Sequence, residues 1–183
     1  MTPFDKLPPP APIQQLHHYA YRAKDAEETR HFYEDILGLP LFHIIQSDIV
    51  PSTGEYCPYT HFFFRLQDGS FIAIFDLGDD EAALPSPNTP LWVNHISFRV
   101  NTVPELEAMK TRLQAEGIAV LGVTDHHIFK SIYFFDPNGV RLELTVQLAD
   151  EVQMQKESST VHARLAEWTA RKQQWRAERA AKV

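Results

Sequence analysis

Apolar positions along this chain switch between two spacings, and the switches repeat. In "LHHYAYRA" (16–23) Tyr19, Tyr21 and Ala23 alternate with Ala20 and Arg22, the period of two expected of a strand with one face on a core. In "DAEETRHFYEDILG" the spacing becomes helical. Asp25 predicts the N-cap, Glu28 three residues on a capping box, and Gly38 the C-terminal stop. Strands are predicted at "LPLFHIIQ", "THFFFRL" and "FIAIFDL". The turn-rich stretch "SDIVPSTGEYCPY" separates the first two and "QDGS" the last two. The order is β-α-β-β-β.

From Asn94 the same order returns. "NHISFRV" predicts a strand, and "VPELEAMKTRLQAEG" a helix with Thr102 as N-cap, Glu105 completing its box and Gly117 as stop. "IAVLGV", the loop "TDHHIFK", the strand "SIYFF", a turn at "DPNG" and the strand "VRLELTV" complete the unit. The match is positional too: His18 lies seven residues before Asp25, and His95 seven before Thr102. The fold class expected is α+β, with two βαβββ modules forming a half-barrel cup plus a C-terminal helix. The divisions are a Pro-rich arm (1–12), a first module (13–78), an acidic, Pro-rich linker (79–92), a second module (93–148) and a helical extension (149–183). In that extension Val161, Leu165, Trp168 and Trp175 fall at helical spacing. The tryptophans predict an anchor onto the modules or onto a second subunit, so a homodimer fits.

Composition narrows the classes of function. With 183 residues, 44% hydrophobic and 22% charged, the chain is long enough to build its own core. A net charge of −7, with no Lys/Arg run before the C-terminal segment, argues against a nucleic-acid surface. Cys57 is the only cysteine, which excludes an internal disulfide and a Cys-based zinc site. The opening "MTPFDKLPPPAPI" places proline and charge where a secretory signal needs an apolar core, and no stretch approaches the roughly 18 apolar residues of a membrane span. A cytoplasmic protein with a small-molecule substrate and no membrane partner is the expectation.

Candidate chemistry comes from the repeat. Strand alternation sends His17 and His18 to opposite faces; Tyr19, Tyr21 and Ala23 claim the helix-packed face, so His18 and its counterpart His95 take the concave one. Aligning "DGSFIAIF" with "NGVRLELT" sets Glu143 opposite Ala73. A carboxylate on an inward strand face requires a partner or a metal. If the concave faces of the two modules join, His18, His95 and Glu143 converge from three strands. Two imidazoles and a carboxylate suit Fe(II) or another divalent ion, with about three positions left open.

These modules, with "HHYAYRAKDAEETRHFYEDILGL" opening the first and "SIYFFDPNGVRLEL" closing the second, resemble the vicinal-oxygen-chelate superfamily of glyoxalases, bleomycin- and fosfomycin-resistance proteins and extradiol dioxygenases. The resemblance covers roughly residues 13 to 148. It implies a cup around a divalent metal held by His18, His95 and Glu143, with Fe(II) favoured and Mn, Ni, Co or Zn as alternatives. Glyoxalase I usually has a fourth ligand, a glutamate, where this chain has Ala73, and that departure counts against a glyoxalase. Ring-cleaving members carry a Tyr ten residues before the Glu and a His upstream of it. Tyr133 meets the first condition, and His126 or His127 the second. A tyrosine hydroxyl can hold a substrate oxygen, and a histidine can take a catechol proton. His61, Phe63, Phe71, Phe75 and His127 are expected to line the substrate pocket, and the 47–59 loop to cover it as a lid. An extradiol-type dioxygenase leads. Its alternatives are a metal-dependent isomerase, epimerase or lyase acting through an enediolate, and a non-catalytic drug-binding protein.

Overall fold

The computed structural model describes residues 11–180; most of the Pro-rich arm, residues 1–10, and the last three residues of the extension lie outside them. Each module forms one four-stranded sheet. The first holds β1 (His18–Ala23), β2 (Leu41–Ile49), β3 (Tyr56–Arg65) and β4 (Phe71–Asp76) in the order β1-β4-β3-β2. The second holds β5 (Ile96–Arg99), β6 (Leu121–Asp125), β7 (Phe129–Phe135) and β8 (Arg141–Gln147) in the equivalent order β5-β8-β7-β6. The registers repeat as well. Ala20 pairs with Ala73, and Ser97, two residues past His95 as Ala20 is past His18, pairs with Glu143.

The helices depart from expectation in instructive ways. α1 (Ala26–Arg30) starts where predicted, with Asp25 accepting from the Glu28 N–H, but the reciprocal half of the box is absent because Glu28 turns to Lys24, 2.9 Å away. After Arg30 the backbone widens into a π-helical segment, His31–Ile36. The Leu37 N–H reaches back five residues to the Phe32 carbonyl at 3.0 Å, which turns consecutive Phe32 and Tyr33 both into the core. α2 (Val103–Ala115) has the full box between Thr102 and Glu105. The single C-terminal helix expected is two, α3 (Glu151–Ser158) and α4 (Val161–Ala180). Among the described residues no helix is long and apolar enough to cross a membrane.

The expected lid is not a loop. β2 and β3 run on toward each other until only residues 50–55 connect them, and pairing continues as far as Ile49 and Tyr56. The expected loop before the strand "SIYFF" is likewise shortened, with strand running to Asp125 and resuming at Phe129, leaving 126–128 as a short turn.

One core serves both modules: Phe32, Tyr33 and Phe64 pack with Phe98, Leu106, Leu113 and Phe134, each large side chain contributing about 1.5–3 kcal/mol. The Phe32 and Phe134 rings meet at 6.3 Å. A polar clasp fastens the same seam. The "DPNG" turn sends Asp136 Oδ2 to the hydroxyls of Tyr21 (2.8 Å) and Tyr33 (3.2 Å). Asn138 accepts from the Lys24 N–H and donates to Thr29 Oγ1, and Arg112 Nε donates to the Ile36 carbonyl at 2.8 Å. The modules therefore join through their helix-bearing faces. The joining of concave faces on which convergence of His18, His95 and Glu143 depends is therefore not made within one chain.

Gly122 marks a tight point behind the second sheet. Its φ of +110° disfavours any side chain, and a Cβ there would meet the Ser131 carbonyl oxygen at 2.7 Å. Gly122→Ala is expected to lower unfolding free energy by about 2–3 kcal/mol, read by urea denaturation.

Candidate active site

The second module assembles most of a site from neighbouring strands. His95 stands immediately before β5, one residue outside the strand predicted to hold it. Its Nδ1 lies 3.0 Å from the Val93 carbonyl, so in the neutral ring the proton sits on Nδ1 and the Nε2 lone pair is free. That Nε2 lies 3.3 Å from Glu143 Oε2. Glu143, only 4% exposed, is aimed inward by the β8 alternation that sends Leu142 and Leu144 to the core.

Burial pushes the Glu143 carboxyl upward, but hydrogen bonds from Ser131, Ser97 and Tyr133, together with His95, outweigh it and hold its pKa below the ordinary value. At 3.3 Å the carboxylate and the His95 Nε2 make an ion pair when the ring carries a second proton, and stand close enough to share one cation when it does not. The donor set fits a divalent metal. Tyr133 pairs with Glu143 across β7 and β8, and its hydroxyl lies 2.8 Å from His126 Nε2. Burial first, then the hydrogen bond with Glu143 and the Glu143 charge, raises its pKa, so the phenol stays protonated. Arg141 covers the Tyr133 ring at 4.5 Å.

Sequence reasoning passed over Ser97, Ser131 and Thr145 as site residues. Counting by twos from His95 and Glu143 reaches Ser97 and Thr145, and Ser131 holds the position matching His61, so the signal was present.

The first module carries the remaining candidate residues. The His18 ring lies 6.4 Å from His61 and 6.0 Å from Phe63. His17 is not turned to the opposite face: it precedes β1, strand alternation does not bind it, and its Nδ1 reaches His18 Nδ1 at 2.7 Å. His61 is buried, stacks on Phe75 at 3.6 Å, and faces the Ile74 carbonyl through Nδ1 at 3.1 Å. Burial, with the nearby His18 and His43, lowers its pKa. Phe63 and Phe71 complete an aromatic sheet face. His127 instead takes a left-handed turn conformation, its N–H donating to Asp125; no contact brings it to the Glu143 group.

Within one chain these two groups do not meet. Among the described residues no three His, Cys, Asp or Glu side chains gather closely enough to hold a metal. The open groove of about 1020 Å³ between the modules is lined by Leu39, Arg65, Phe98, Arg99 and Leu144 among others, and contains none of the candidate residues.

Comparison with known proteins agrees with this architecture. Over 53 residues the chain is 36% identical to a putative ring-cleaving dioxygenase, MhqA, of Bacillus subtilis, a match spanning 29% of this chain and 17% of that protein. It is 28% identical over 159 residues to the metallothiol transferase FosB of Staphylococcus saprophyticus, covering 85% of this chain and 92% of the relative. A glyoxalase family protein from Enterococcus faecalis superposes with a TM-score of 0.53 at 28% identity, over 72% of this chain and 97% of that one. The fosfomycin resistance protein FosX from Listeria monocytogenes, complexed with Mn(II), shares the fold at 21% identity and a TM-score of 0.54, over 78% and 98%. The family model matched extends over residues 15–144, and the chain belongs to the glyoxalase/bleomycin resistance protein/dioxygenase superfamily.

Proposed function

We propose that two copies pair so that the first module of each faces the second module of the other, uniting His18 with the partner copy's pair equivalent to His95 and Glu143. The assembly acts as a metal-dependent, extradiol-type dioxygenase on a catechol-like compound. The observation that carries this reading is the linked series His126, Tyr133, Glu143 and His95 on one sheet face. A divalent ion held there, Fe(II) by preference, would acidify a chelating pair of substrate hydroxyls and leave positions open beside them.

The chain's own groups supply the rest. Tyr133, kept protonated, donates to a substrate oxygen. His126, at the solvent-exposed edge and bonded to Tyr133, takes the proton of a hydroxyl. Phe63, Phe71 and Phe75 pack a flat ring, and His61, held neutral and fixed by the Ile74 carbonyl, closes that wall without adding charge.

The test is oxygen uptake by Fe(II)-loaded protein supplied with catechol. One oxygen consumed per catechol supports the reading, and no uptake refutes it. Tyr133→Phe should lower kcat/KM about a hundredfold while leaving metal content unchanged. A second reading is favoured by the similarity to FosB, which covers nearly the whole length of both chains: metal-assisted group transfer without oxygen. It predicts turnover under argon with a thiol co-substrate and Mn(II), Ni(II) or Zn(II).

A further inference from the structure

The C-terminal helix α4 is formed yet unused. Its seam of Val161, Leu165, Trp168, Lys172 and Trp175 repeats at spacings of four and three, but Leu165 is 61% and Trp168 48% exposed. Every residue of the helix is exposed save Trp175, which rests on Trp168 at 5.5 Å and under Arg171 at 4.6 Å. A helix of this length, about 30 Å, gains most of its stability from packing an amphipathic face. Something must cover it.

Charge says what. Val161–Ala180 carries Arg164, Arg171, Lys172, Arg176 and Arg179 against Glu167 and Glu178, in a chain whose net charge is −7. The helix is basic and the modules are acidic. Two such helices repel each other, so α4 does not pair with its own copy. The complementary surface is the β2–β3 hairpin. Between Ile44 and Tyr56 it contains Asp48 and Glu55 and no Lys or Arg, and it exposes Ile44, Ile45, Ile49 and Tyr56. Both surfaces are open on the same chain.

We infer that α4 is a docking arm that lies on the β2–β3 hairpin of a second copy of this chain, apolar seam on apolar strand and arginines on Asp48 and Glu55. The choice of a second copy rests on the shared-centre reading above. The hairpin belongs to the sheet that carries His18, so the arm fastens the two copies beside the face they must bring together.

The test is sedimentation velocity of the full chain over a range of concentrations, with metal content measured on the same samples. Wild type is expected to dimerise. Leu165→Glu with Trp168→Glu, both at exposed positions, should raise the dimer dissociation constant by about thirtyfold or more. Arg171→Glu with Arg176→Glu in one chain and Asp48→Lys with Glu55→Lys in another should each weaken the homodimer, and mixing the two should give a heterodimer tighter than either. If the arm variants dimerise like wild type, the docking arm is wrong while the shared centre stands. The docking arm is equally wrong if they lose only binding to phosphatidylserine vesicles, which would make α4 a membrane-surface helix. A wild type that stays monomeric yet binds one metal per chain overturns both.

Discussion

Glu143→Gln should leave the protein folded and free of metal. Glutamine keeps the shape and the hydrogen-bonding reach of the buried side chain toward Ser131, Ser97 and Tyr133, but removes the charge that faces His95. Loss of one carboxylate from a two-histidine, one-carboxylate set removes several kcal/mol of metal affinity, about a thousandfold or more in dissociation constant. Metal analysis by mass spectrometry after dialysis reads this directly, and activity should fall in parallel. A pH effect follows from the same group. The folded-state pKa of Glu143 lies below its ordinary value of 4.5. Its stabilisation is therefore complete above that value and is lost as pH falls through the depressed one. Metal-free Glu143→Gln should lack this component of the acid limb, and chemical denaturation across that range measures it.

The second large effect is expected at the clasp. Asp136→Ala should cost about 3–4 kcal/mol of stability, because several groups lose one acceptor together: the hydroxyls of Tyr21 and Tyr33 and the backbone N–H groups of Asn138 and Val140. Buried polar groups left without a partner cost about 1–3 kcal/mol each, and the cavity relaxes or hydrates to recover part of the sum. Burial raises the Asp136 pKa despite those hydrogen bonds. The sign is the reverse of Glu143: its favourable contribution is full below the ordinary carboxylate pKa and declines as pH rises through the folded value. Asp136→Asn should flatten that decline in denaturation measurements carried upward from the ordinary carboxylate range. Both variants act on the seam that sets the modules' relative orientation, so a shift in dimer affinity should accompany the loss of stability.

The repeat was the legible part of this molecule. Equal offsets from His18 and His95 to their helix caps, and from each final turn to Ala73 and Glu143, gave the order of elements along each module and the buried face of Glu143. The resemblance to ring-cleaving family members pointed to Tyr133 and to either His126 or His127, and the structure puts His126 in contact with Tyr133.

What was not legible is which sheet face meets which. "HFFFR" places Phe62 and Phe64 on one face of β3 and His61 and Phe63 on the other, and β4 carries Ile72 and Ile74 against Phe71 and Phe75. Both faces are apolar enough to be a core, so periodicity alone does not choose between joining modules back to back and joining them face to face. The Asp136 clasp decides it through tertiary hydrogen bonds between residues 103 to 115 positions apart. The π-helical turn is hidden for a related reason: it is imposed by the need to bury both Phe32 and Tyr33, not by any helix-breaking residue. At the expected lid, Gly54 and Pro51 suggest a wide loop, where cross-strand pairing in fact carries the hairpin nearly to its tip.

The most direct measurement of the shared centre mixes two inactive chains. His18→Ala and Glu143→Ala are expected to bind no metal singly. After unfolding and refolding together at equal amounts, half the dimers combine one of each, and each such dimer holds one site whose histidine and glutamate are both intact. The account predicts recovery of about one quarter of wild-type metal content and activity, rising as mixed dimers are enriched. If the mixture recovers nothing while each variant still dimerises, the site does not lie between copies, and the proposed assembly is wrong.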